Sequence, residues 1–142
     1  MRETTNKSIL LSIFRRNGGE GVLTKIITNE NKVNYVNQLE ALDKEEPLLC
    51  FKEDEQNWIL LTNERILKEQ VGVRETIAFS ELTEVNLALH EEFKDMVMNK
   101  KDFTLLALKH RNGSKSVIKL EKGDPFQGMF QVLHYLALKN KN

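Results

Sequence analysis

The chain has 142 residues, the length of one domain able to bury about two-thirds of the surface its unfolded form exposes. Its 21 Lys plus Arg offset 21 Asp plus Glu, so no global field directs it to nucleic acid or to a membrane. A single cysteine, Cys50, excludes an intrachain disulfide, and the apolar run from Ile9 to Phe14 is too short to span a bilayer, which makes the cytoplasm the expected compartment.

Residues 1–43 read as a helical segment ahead of a second region, residues 44–142. Thr4 or Thr5 is the expected cap of a first helix, with Ile9, Leu10, Ile13 and Phe14 on one face, and Asn17-Gly18-Gly19 ends it. A second helical piece is expected at Val22, Leu23, Ile26 and Ile27. A third carries Val36, Leu39 and Leu42 after the polar break Asn29-Glu30-Asn31.

From Pro47 onward the hydrophobic period becomes extended. Seven strands are predicted, over Leu48–Glu53, Trp58–Thr62, Arg65–Gln70, Arg74–Phe79, Leu82–His90, Phe103–His110 and Lys115–Glu121. Asn112-Gly113 suits a type I′ hairpin, and Val71-Gly72-Val73 supplies another glycine turn. Val85, Leu87 and Leu89 alternate with Glu84, Asn86 and Ala88, the pattern of an antiparallel strand with one wet face. The last element is a helix with Asp124 as N-cap, Pro125 at its first position, and Phe126, Met129, Phe130, Leu133 and Leu136 on one stripe. Gln127, Gln131 and His134 lie opposite, and Lys139 and Lys141 complement its C-terminal dipole.

Three stretches of this region, Glu46–Phe51, Trp58–Leu67 and Ile77–Val85, resemble the bacterial pleckstrin-homology-like family. Leu61-Thr62-Asn63-Glu64-Arg65 is similar to a turn joining two early strands of that family. Phe79-Ser80-Glu81-Leu82-Thr83 is similar to the segment before its fifth strand. The resemblance covers roughly residues 44–138 and implies an α+β fold, a seven-stranded antiparallel sheet or partly open barrel capped by a C-terminal helix. Thr62 and Asn63 are also good turn formers, and Arg65 can anchor the turn on carbonyls. Phosphoinositide-binding members place cations around the loop between their first two strands. Here that loop is Lys52-Glu53-Asp54-Glu55-Gln56-Asn57, whose carboxylates repel phosphates.

Catalytic and metal constellations fail on inspection. His90-Glu91-Glu92-Phe93-Lys94 has Lys94 where a zinc protease motif needs its second histidine, and His90, His110 and His134 fall on separate elements. Gly18-Gly19-Glu20-Gly21 has no preceding strand and no following Lys-Ser or Lys-Thr. Cys50 sits in an apolar run as a small core residue, and Trp58 also belongs to the core. Asp43, Glu45, Glu46, Glu53, Asp54 and Glu55 read as a solvated acidic rim. No enzyme activity, cofactor or metal is expected.

Two surfaces are left as candidate interaction sites. One is the first helix, through Ile9, Leu10, Ile13 and Phe14; the other is a basic hairpin carrying Lys109, Arg111, Lys115 and Lys119. The leading expectation is a non-catalytic module that binds a protein partner or associates with itself. The alternative is a peripheral adaptor with weak membrane association, holding anionic lipid through the first helix and the hairpin. Nucleic acid is not expected, because no aromatic residues are interleaved with the cations.

Overall fold

The computed structural model describes residues 6–140, a mixed α+β fold of two antiparallel sheets and a C-terminal helix. The first helix, α1 (Lys7–Arg16), is capped by Asn6, whose Oδ1 accepts from the Ser8 amide at 2.8 Å; Thr4 and Thr5 lie outside the described residues. A five-stranded sheet follows the chain order β1 (Thr24–Ile26), β2 (Pro47–Asp54), β3 (Asn57–Thr62), β4 (Arg65–Gln70) and β5 (Val73–Ala78). A three-stranded sheet comprises β6 (Leu82–Leu87), β7 (Leu105–His110) and β8 (Lys115–Lys119). Between β1 and β2 run a 3-10 turn, Lys32–Tyr35, and the short α2 (Val36–Leu39). The brief α3 (Leu89–Lys94) links β6 to β7, and α4 (Asp124–Lys139) closes the chain.

The seven expected strands are present with shifted ends, but the described residues form eight strands in two sheets. The extra strand, β1, lies where a helix was expected around Val22–Ile27. Strand pairing explains why: Lys25 pairs with Cys50 and Ile26 with Leu49 of β2. Ile26 packs on the main core while Ile27 is buried in a second cluster on the other side, whereas a helical face would have gathered them with Val22 and Leu23, which are exposed. The expected strand over Leu82–His90 also stops early, at Leu87, and Leu89 begins α3 as an exposed side chain.

The two sheets are buried differently. In β2 to β4, Leu49, Phe51, Ile59, Leu61 and Ile66 enter the main core, while Cys50, Trp58, Leu60 and Leu67 point outward beneath Tyr35, Leu39 and Leu42. Apolar runs such as Trp58-Ile59-Leu60-Leu61 thus mark a sheet covered on both faces. The third helical piece covers that outer face with Tyr35 and Gln38 buried and Val36 half exposed, a stripe rotated from the expected Val36–Leu39–Leu42. The apolar side chains that the β6–β8 sheet buries are Leu82, Val85, Leu106, Leu108 and Ile118. A register shift between Leu82 and Glu84 lets both Leu82 and Val85 face inward despite their three-residue spacing.

Side chains stitch the sheets together where strand pairing stops. Lys68 on β4 donates to Val117 O at 2.9 Å, and Gln70 bonds both the amide and the carbonyl of Lys119 on β8 at 3.0 and 2.7 Å. The two sheets are therefore joined along this seam by side chains and not by strand pairing.

The helices complete the core. On α4, Phe126, Met129, Val132, Leu133, Leu136 and Ala137 are buried, and Asn140 donates to Phe79 O and Leu82 O at 2.6 and 2.7 Å, pinning the helix end to the β5–β6 corner. Its N-cap is Gly123, with φ of 91°, so Asp124 stands inside the helix rather than capping it, and Lys141 lies outside the described residues. The β7–β8 turn has positive φ at Gly113 alone, with Gly113 N bonded to His110 O at 2.9 Å and His110 N to Ser114 O at 2.8 Å. That is a type I turn with a glycine bulge, not the expected type I′ turn. At Val71-Gly72 both φ angles are positive, 54° and 74°, as a type I′ turn requires.

Candidate functional site

The structure separates the candidate residues into those occupied by the fold and those facing outward. Leu10 and Phe14 are wholly buried with Leu11 on the inner face of α1, in the same core as the sheets and α4. Burying each such side chain stabilises by about 1.5–3 kcal/mol, so this face holds the helix in place. Ile9 is 42% exposed, and Ile13 is half-buried at the edge of the core.

Arg111 also has a structural duty. Its guanidinium donates twice to Ser80 O, at 3.2 and 2.9 Å, and its amide bonds Glu81 O, clamping the β7–β8 turn to the β5–β6 corner. Lys119 lies 3.6 Å from Glu53. Lys109 and Lys115 stand opposite each other in the β7–β8 register, and Glu84 pairs with Lys109 in the β6–β7 register, so carboxylates interrupt the basic hairpin. A groove of about 490 Å³ beside α3 is lined by Lys109 and Lys115 but also by Glu84 and Glu91.

The acidic residues are tied into the fold. Glu45 is buried and ion-paired with Arg65, whose guanidinium also donates to Ala41 O at 3.1 Å; it does not belong to a solvated rim. Burial alone would raise the Glu45 carboxyl, but the Arg65 hydrogen bond, the Asp43 amide and the Arg65 charge outweigh it and hold the pKa below the ordinary value. Glu55 accepts from Lys52, Asn37 and Gln38, which lower it to about 2. The Thr62–Arg65 turn is likewise internal: Thr62 Oγ1 accepts from the Glu64 and Arg65 amides, each at 3.1 Å, and Asn63 Oδ1 from the Glu46 amide at 2.9 Å.

One polar cluster has catalytic residue types. His110 Nε2 lies 2.7 Å from Ser116 Oγ, and Ser116 Oγ donates to Glu75 Oε2 at 2.5 Å, with Lys68 3.6 Å from Glu75. The lone hydroxyl proton is committed to Glu75, so His110 must donate to Ser116 rather than act as its base. Ser116 is buried, and the cluster seals the seam between β5 and β8. Sequence spacing gives no hint of it, because Glu75 and Ser116 stand 41 residues apart. Cys50 is fully buried, and desolvation raises its thiol to about 12. Glu92 of the His90-Glu91-Glu92 stretch is buried and accepts from the Thr104 and Leu105 amides at 2.8 and 3.1 Å. Among the described residues no group of three His, Cys, Asp or Glu side chains could hold a metal ion, and no helix is long and apolar enough to cross a membrane.

A groove of about 470 Å³ lies between α1 and α4. Its apolar lining is Ile13, Tyr135 and Leu138, the last 50% exposed, and its polar lining is Arg16, Asn17, Gln131 and His134. The helices meet closely because Gly128 leaves room for Phe14, and Gly18, at φ of 136°, passes against the backbone of Asp124. Lys139 stands 5.7 Å from the Tyr135 ring centroid at the end of α4. This groove collects Ile13 from one helix and, from the other, Gln131 and His134, which the sequence places opposite the apolar stripe of α4.

No protein-family model and no curated protein sequence matches the chain. Among solved structures, inner membrane complex sub-compartment protein 3 of Toxoplasma gondii aligns over 82% of this chain and 90% of its own, at 16% identity and a TM-score of 0.43.

Proposed function

We propose that the chain is a non-catalytic interaction module with a pleckstrin-homology-like arrangement, and that the α1–α4 groove receives its protein partner. With β1 set aside, four strands, β2 to β5, face three, β6 to β8, and α4 caps the core, which is the arrangement the Thr62–Arg65 and Phe79–Thr83 segments suggest. The observation that carries the functional reading is the groove itself: a partly apolar surface lined by Ile13, Tyr135 and Leu138 with the polar side chains of Arg16 and Gln131 beside them. A membrane role for the first helix would have to draw Leu10 and Phe14 out of the core.

The test places a photo-crosslinking amino acid at Gln131, and in a separate variant at Lys115, in the cell that makes this chain. Adducts with a protein from position 131 and not from 115 support the groove. Adducts from 115 alone move the site to the hairpin, and a lipid adduct in place of protein overturns the reading.

A further inference from the structure

Along the two helices that form the groove, Asp124 in the first turn of α4 is the single acidic residue. From Asn6 to Gly19, and again from Pro125 to Asn140, there is no Asp or Glu, in a chain that holds 21 of them. The cations of these segments have few internal partners: among the described residues Lys7 pairs with Glu46, but Arg16 reaches no carboxylate and its Nε only touches Ser12 O at 3.5 Å. Lys139 lies over Tyr135. The groove lining holds no carboxylate, and Glu84 enters only the adjoining recess beyond His134 and Leu138.

Resting on the reading of the groove as a protein-binding surface, we propose that its occupant is an acidic amphipathic helix. An apolar stripe would pack on Ile13, Tyr135 and Leu138, with carboxylates reaching Arg16 and Lys139. Two packed helices offer a third helix ridges and a groove, and their backbone groups are already bonded within each helix, which leaves no strand edge to augment. A second copy presenting the same face is disfavoured, since an isologous contact would bring Arg16 and Lys139 of both copies together. Opposite charge supplies the attraction, and like charge rejects basic helices.

The test selects displayed random peptides of about 16 residues, roughly 24 Å as a helix, on the immobilised full chain, and titrates a labelled winner by fluorescence anisotropy. Enriched peptides should be acidic with apolar residues at helical spacing. The exposed pair Arg16→Glu and Lys139→Glu should weaken binding at least about tenfold, equivalent to about 1.4 kcal/mol. Peptides with Lys in place of their acids should bind that variant better than wild type, with unchanged circular dichroism showing that the variant is folded. Enriched peptides that are neutral or basic, and indifferent to the charge reversal, overturn the acidic occupant while leaving a binding module. No enrichment overturns both, and sedimentation with phosphatidylcholine–phosphatidylserine vesicles in that case assigns the face to lipid.

Discussion

Phe14 of α1 rests against Gly128 of α4 so closely that a Cβ at position 128 would lie 2.7 Å from the Phe14 ring. This contact sets the spacing of the two helices and so the shape of the groove between them. Gly128→Ala should therefore destabilise the protein by about 1–3 kcal/mol from overpacking, although alanine is the better helix former. A urea titration should show a lower midpoint. An unchanged or raised midpoint would mean that Phe14 can yield and that the groove is less fixed than drawn.

Val71 carries a cost that substitution can remove. It is 90% exposed, β-branched, and held at φ of 54°, while its amide donates to Asn57 Oδ1 at 3.0 Å. Val71→Asn keeps that amide and suits a type I′ turn, so it should stabilise by about 1 kcal/mol. A thermal melt should show a Tm raised by about 3–6 °C.

The seam between the sheets depends on Gln70. Both backbone groups of Lys119 on β8 are bonded by its side-chain amide. Gln70→Ala should cost about 1–2 kcal/mol and speed exchange of the Lys119 amide relative to that of Leu106, which pairs inside the sheet. Equal protection in both proteins would show that the seam does not rest on this side chain.

Acid should weaken the fold over a defined range. The folded state holds Glu55 down at about 2, and Glu45 is also lowered, whereas the unfolded chain titrates near 4.5. The unfolded state thus binds more protons in this window. The contribution of both carboxylates is complete above about pH 4.5 and is lost as pH falls toward 2. Glu55→Gln should flatten that loss in denaturant midpoints measured across the range. Arg65→Ala, which leaves the buried Glu45 without its cation, should cost about 3–5 kcal/mol at neutral pH.

Elements whose cause is local were legible in the sequence. The stripe of α4 predicts its buried face because helix periodicity is a property of neighbouring residues, and the turn at Thr62–Arg65 announces itself because its side chains bond their own backbone. What sequence spacing hides is what each element packs against. Ile26 and Ile27 satisfy a helical period as well as an extended one, and only pairing with β2 decides between them. The groove has the same character: Ile13 was visible on α1, but Gln131 and Tyr135 join it only through the Phe14–Gly128 contact. Arg111 illustrates the converse, a cation whose exposed position suggests recognition but whose guanidinium is spent on Ser80 O.

The central claim, that the α1–α4 groove is the binding surface, is tested most directly by amide chemical-shift mapping of the isotope-labelled full chain titrated with a selected acidic peptide. Saturable shifts should concentrate at Ile13, Arg16, Gln131, Tyr135 and Leu138, with the β7–β8 strands unmoved. Shifts confined to Lys109, Lys115 and Val117 would contradict it and place recognition on the hairpin.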